Sequence, residues 1–148
     1  MRQKLIKYNL LLLVAVIFAA CSTKKNTGLS RGYHNLTSRY NILFNGWESF
    51  DKGMEKLEDA HLDNYSQLLP IFIYNDKNNV SAISSEMDRS IKKAEKLIST
   101  HSITVKPELD DNREINEKKR DFYNQNEYNK WVDDAYLLMA KGYFYKHE

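Results

Sequence analysis

Residues 35–57, NLTSRYNILFNGWESFDKGMEKL, place Leu36, Tyr40, Leu43, Trp47, Phe50, Met54 and Leu57 at spacings that alternate four and three. That period puts all seven on one stripe of a continuous helix of about seven turns. Asn35 stands where its side-chain oxygen can accept from an amide of the first turn and cap the helix. Gly46 and Gly53 lie one heptad apart beside the stripe, and each costs a helix about 1 kcal/mol relative to Ala. Close approach of a partner helix would explain both, and so would tolerance at a solvent-facing position.

Downstream, Val80, Ile83, Met87, Ile91, Ala94 and Ile98 repeat the helical period, with Leu97 widening the stripe and Arg89, Lys92, Lys93 and Lys96 on the opposite face. A solvated surface explains that basic face, although lipid phosphates or an acidic partner would also suit it. Between the two stripes Pro70 interrupts a short apolar patch, and Asn75, Asp76, Asn78 and Asn79 supply turn chemistry. Residues 33–101 are therefore expected to form a helical hairpin.

From Pro107 onward the character changes, because ten of the fourteen residues from Glu108 to Asp121 are charged. Residues 102–126 read as an exposed charged linker with little to bury. Helical period returns in residues 127–148 with Tyr128, Trp131, Ala135, Met139, Gly142 and Tyr143. Within it Tyr136, Met139, Ala140 and Tyr143 reproduce the spacing of the first helix of a tetratricopeptide repeat, whose small residue admits a partner helix. A generic amphipathic core helix produces the same spacing. The expected fold class is all-α: a long amphipathic helical hairpin leading into a tetratricopeptide-type α-solenoid array. That array reads as cut off at Glu148, before the second helix that would cover the first.

Upstream, Arg2, Lys4 and Lys7 precede twelve uncharged residues, Leu10 to Cys21. As a helix that run reaches about 18 Å against the roughly 30 Å of a bilayer's hydrocarbon, so it reads as a secretory signal over residues 1–20 and not as a permanent span. Phe18-Ala19-Ala20-Cys21 resembles the lipobox of bacterial lipoproteins, with Phe18 in place of the usual Leu. Cys21 would then be the lipidation site, and residues 21–32 a lipidated, polar tether. Ordinary cleavage near Ala20, leaving a free thiol, is the plain alternative. The segment after Cys21 lacks the acidic residues that resemble a surface-export signal, which places the expected address on the periplasmic face of the outer membrane.

Removing residues 1–20 lowers the basic count from 22 to 19 against 20 acidic residues, a balance of −1. No positive field remains to hold phosphate backbones, so no nucleic acid is expected as a partner. The four histidines, His34, His61, His101 and His147, show no metal-ligand spacing and read as surface or helix-end residues. No nucleophile elbow or phosphate-cradling loop occurs among the five glycines. Asp133 and Asp134 point about 100° apart on a helix and suit its first turn better than acid/base chemistry. Neither enzyme, metal nor cofactor is expected.

The lipobox is followed, in one order, by residues 30–41 (SRGYHNLTSRYN), Asp63-Asn64-Tyr65, Leu69-Pro70-Ile71-Phe72, Met87-Asp88-Arg89 and residues 130–136 (KWVDDAY). In that combination the chain resembles the N-terminal part of the PorW/SprE lipoproteins of Bacteroidetes, tetratricopeptide-containing accessory components of type IX secretion and gliding motility. The resemblance implies an outer-membrane-anchored periplasmic scaffold that contacts the secretion translocon and the periplasmic ring components. It transfers a role only to Cys21. The family's members are much longer, so most of the helical array would lie beyond this chain. The alternative is a SusD-like nutrient-binding lipoprotein, with Trp47 or Trp131 as glycan platforms. Packing on the apolar stripes is the competing reading of both tryptophans.

Overall fold

The computed structural model describes residues 25–69, 80–108 and 116–147. Among them all regular structure is helical. Three elements follow one another without a break: helix α1 (Gly28–Thr37), a π-helical segment (Ser38–Leu43) and helix α2 (Phe44–Ala60). Helices α3 (Val80–His101), α4 (Glu117–Asn124) and α5 (Val132–Lys146) follow. The junction residues Ser38, Leu43 and Phe44 all keep right-handed helical angles, so α1 to α2 is one rod of about 50 Å.

The rod starts earlier than the sequence led us to expect. Thr27 caps it, its hydroxyl accepting from the amide of Ser30 at 3.2 Å. Asn26 is buried and donates to the carbonyl of Val105, so the tether expected over residues 21–32 gives way to packed helix by Gly28. Asn35 is accordingly not a cap. It sits within α1, donating to the carbonyl of Arg31 at 2.8 Å and accepting from the amide of Lys130 at 2.9 Å.

The predicted stripe holds from Leu43 to Leu57 and fails before it. Leu36 and Tyr40 are exposed, and the buried positions there are Ser30, His34, Ser38 and Ile42. These four, with Gly46, recur every fourth residue. In a regular helix each such step drifts about 40° around the axis. The π turn, in which the amide of Phe44 donates to the carbonyl of Arg39 five residues back, unwinds the rod and holds that row toward the core.

α3 runs antiparallel to the rod, as the pairs Lys56–Glu86, Gly53–Met87, Gly46–Lys93 and His34–His101 show. α5 is antiparallel to α3 in turn, with Gly142 against Ile91 and Lys146 bonded to Asp88 at 2.8 Å. α3 is therefore the central helix, and Ile83, Met87 and Leu97 on it have no exposed surface. They pack with Leu43, Phe50, Leu57, Val132, Ala135 and Leu138 in one core. The expected hairpin is thus closed by a third long helix.

Glycines set the spacing. A Cβ on Gly46 would come within 2.8 Å of Leu138, and one on Gly53 within 2.7 Å of Met87. Of the two explanations left open by the sequence, close helix approach is the correct one.

The charged linker is a linker only in part. Ile103 is fully buried and its carbonyl accepts from the amide of Tyr128 at 3.0 Å. α4, capped by Asn116, buries none of its residues. The turn expected around residues 70–79 lies outside the described residues.

Candidate functional site

Helix α3 ends at His101, and the chain returns through residues 127–131 to start α5 beside α1. These three segments surround a node built mostly of polar side chains. Asn129 is its hub: its amide nitrogen donates to Ser38 Oγ at 2.7 Å and to the carbonyl of His101 at 2.9 Å, while its oxygen accepts from the amide of Trp131 at 3.1 Å. Glu127 completes the loop, accepting from the amides of Ile103 at 2.7 Å and Asn129 at 2.8 Å and from the hydroxyl of Ser102 at 2.5 Å. A carboxylate that gathers backbone amides fixes a loop as a helix cap does.

Against this node lie His34 and His101, both buried, with Nδ1 atoms 2.8 Å apart. Burial pushes both imidazoles below the usual histidine value, and the charges of His34 and Lys96 add to the effect on His101. The expectation of surface or helix-end histidines is overturned for His34, which is buried inside the rod, while His101 ends α3 as expected and is buried there. The small side chains of Ser30 and Ser38 on this helix face leave room for the rings, where a stripe of large apolar residues would not.

An open groove of about 720 Å³ runs outside the node. Arg39 lies along it with its guanidinium over Tyr40 at 4.9 Å and over Trp131 at 4.8 Å. Arg31 covers Phe122 at 4.9 Å, and is held by Asn26 Oδ1 at 2.6 Å. Trp47 meets Phe50 edge to face and carries Lys141 over its ring at 5.0 Å.

Cys21 lies outside the described residues. Tyr136, Met139, Ala140 and Tyr143 share α5. Tyr136 and Ala140 are exposed, Met139 and Tyr143 half-buried, and the packed face is Val132, Ala135, Leu138 and Gly142. The small residue that admits α3 is Gly142, where a Cβ would come within 2.7 Å of Ile91. Because Leu137 and Phe144 are also exposed, α5 is apolar on two sides, and its period does not show which side is core.

Asp133 and Asp134 fall in the first turn of α5, as expected. Among the described residues no group of histidine, cysteine and acidic side chains is placed to hold a metal. No described helix is long and apolar enough to cross a membrane.

Fold and site together define an all-helical domain closed by a buried polar node. No family model matches the chain, and no curated protein is significantly similar to it.

Proposed function

We propose that this chain is the membrane-proximal helical part of a lipoprotein scaffold, anchored by acyl chains on Cys21 to the periplasmic face of the outer membrane, that serves type IX secretion or gliding. The observation that carries the reading is the order basic n-region, apolar run, Phe18-Ala19-Ala20-Cys21, followed within seven residues by a packed helix. Several acyl chains on one residue give stable attachment, since each buried methylene contributes about 0.8 kcal/mol and one chain is marginal.

α5 acts in this reading as the first helix of a tetratricopeptide-type array. In support, Tyr136 and Ala140 stand uncovered on the side that a following helix of such a repeat would occupy. The glycan-binding alternative is the weaker reading. A sugar platform needs an open ring face, and a cation already lies over each tryptophan ring.

The test is metabolic labelling with radioactive palmitate, together with co-purification from a type IX-secreting host. Label on the wild type that disappears in Cys21→Ser, with recovery of translocon or ring subunits, is the expected result. An unlabelled protein, or one that brings down no secretion component, would overturn the proposal.

A further inference from the structure

Two stripes share the N-terminal half of the rod. One is the buried row of Ser30, His34, Ser38 and Ile42; the other is a row of large side chains that the fold leaves uncovered. Leu29 is 74 % exposed, Leu36 62 %, Tyr40 63 % and Phe44 61 %, with Tyr33 beside them at 44 %. A contiguous apolar surface of this kind marks a contact.

Charge says what kind of contact. From Cys21 to Trp47 the sequence has no acidic residue, against Lys24, Lys25, Arg31 and Arg39. Acids begin with Glu48 and continue with Asp51, Glu55, Glu58 and Asp59 along α2. Among the described residues that line the groove the one acid is Glu127, which spends its oxygens on Ile103, Ser102 and Asn129. The rod is thus apolar and basic in its first half, acidic in its second.

Reach supplies the occupant. Gly28 lies seven residues on from Cys21, a stretch that spans at most about 25 Å when fully extended. Wherever the acyl chains enter a bilayer, the first turn of α1 stands within that distance of its surface.

We infer that the Leu29–Phe44 face of the rod lies on the lipid surface that holds the anchor, its apolar side chains at the headgroup boundary and its cations against anionic lipid. Tyrosines and a tryptophan at that depth are the usual interfacial residues. Arg39, laid flat across Tyr40 and Trp131, keeps its charge at the rim while its stem covers apolar surface. Attraction to anionic headgroups falls off within a Debye length, so the acidic half of the rod, repelled by the same surface, points away from it. The domain would hang from the membrane at a fixed orientation and not swing on a free tether. This inference rests on the proposed lipidation of Cys21.

The experiment uses the full chain, lipidated in its host, so that the lipid blocks Cys21 and an introduced cysteine is the sole free thiol. Nitroxide labels at Leu36→Cys and Tyr40→Cys, with the exposed position Glu55→Cys as reference, are read in vesicles of phosphatidylethanolamine with phosphatidylglycerol. Collision with oxygen is compared with collision with a water-soluble nickel chelate. The expected ratio of oxygen to nickel accessibility is several-fold higher at 36 and 40 than at 55. Phe44→Cys on the same stripe repeats the measurement should either label perturb the fold. Equal nickel accessibility at all sites in a protein that floats with the vesicles overturns the face contact and leaves the anchor standing. Labels at 36 and 40 that are immobilised yet shielded from both reagents overturn it too, because a protein surface would then cover the stripe. A protein that does not float with the vesicles removes the anchor and this inference together.

Discussion

His34 and His101 face each other across the α1–α3 interface with their Nδ1 atoms 2.8 Å apart and their rings edge to face at 4.9 Å. A bond between two such nitrogens needs one donor and one acceptor, so one proton and not two lies between the Nδ1 atoms, and at least one of the rings is neutral. The other nitrogen of His34 is buried and meets no hydrogen-bond partner among the described residues. A cation there would be unsolvated and unpaired. The pair therefore fastens the start of the rod to the end of α3 only while it is at least half neutral.

Stability should fall as pH drops through the histidine range. Both folded-state values lie below the ordinary 6.5 because burial disfavours the charged rings. The unfolded chain then binds protons that the folded chain refuses, so the contribution is complete above 6.5 and is lost as pH falls from there through the folded values. Thermal melts across that range should show a falling midpoint in the wild type and a flatter dependence in His34→Leu. Parallel curves for the two proteins would show that the pair does not control the effect.

Of the three glycines at helix crossings, Gly142 should tolerate a methyl group least. A Cβ there would meet Ile91 Cγ1 at 2.7 Å and Cδ1 at 3.1 Å, and a buried β-branched side chain has little rotamer freedom to yield. At Gly53 the nearest obstacle is the terminal methyl of Met87, which is flexible, with the Glu86 Cβ next at 3.2 Å. Alanine recovers about 1 kcal/mol of helix propensity at either site, while overpacking costs about 1–3 kcal/mol. Denaturant titration should find Gly142→Ala destabilised by roughly 1–2 kcal/mol and Gly53→Ala near neutral. The reverse order would mean that the α3–α5 contact is looser than drawn.

What could be read from the sequence was what hydrophobic period reports. Leu43 to Leu57 and Ile83 to Leu97 form stripes in the sequence and in the core alike, and the all-helical class followed from them. The first turns of the rod were misplaced because their buried row is serine and histidine, which a hydrophobicity count scores as surface. Spacing held the signal, since Ser30, His34, Ser38 and Ile42 stand four apart, a row that stays on one face only if the helix is locally unwound. Asn129 and Glu127 form no periodic pattern, and their roles depend on which segments fold beside them. The face of α5 could not be chosen while Tyr136, Leu137 and Phe144 were as apolar as Leu138 and Val132.

Asn129→Ala should cost more than any other single change in the polar node. It removes the donor to both Ser38 and the carbonyl of His101 and the acceptor for Trp131. Each buried group left unpaired carries a penalty of about 1–3 kcal/mol. Ser38→Ala, which removes one partner of a hub that keeps its others, should cost about 1 kcal/mol. Comparable losses in urea titrations of the two variants would argue against Asn129 as the hub.

The Lys56–Glu86 bridge offers a second pH window, separate from that of the histidines. Glu86 accepts from Lys56 Nζ at 2.7 Å and from Ser85 Oγ at 2.7 Å, and these bonds, Lys56 first, hold its carboxyl at about 2 against an ordinary 4.5. A lowered carboxylate value stabilises the fold above 4.5 and ceases to do so as pH falls toward 2. Half of the Lys56 side chain is exposed, so water and salt screen the pair and its share of stability stays under about 1 kcal/mol. Carboxyl-resolved NMR titration should place Glu86 well below the ordinary 4.5 and return it most of the way toward that value in Lys56→Met. If the value in Lys56→Met stays where it was, Ser85 alone holds the carboxylate, and the bridge between α2 and α3 does not restrain the rod.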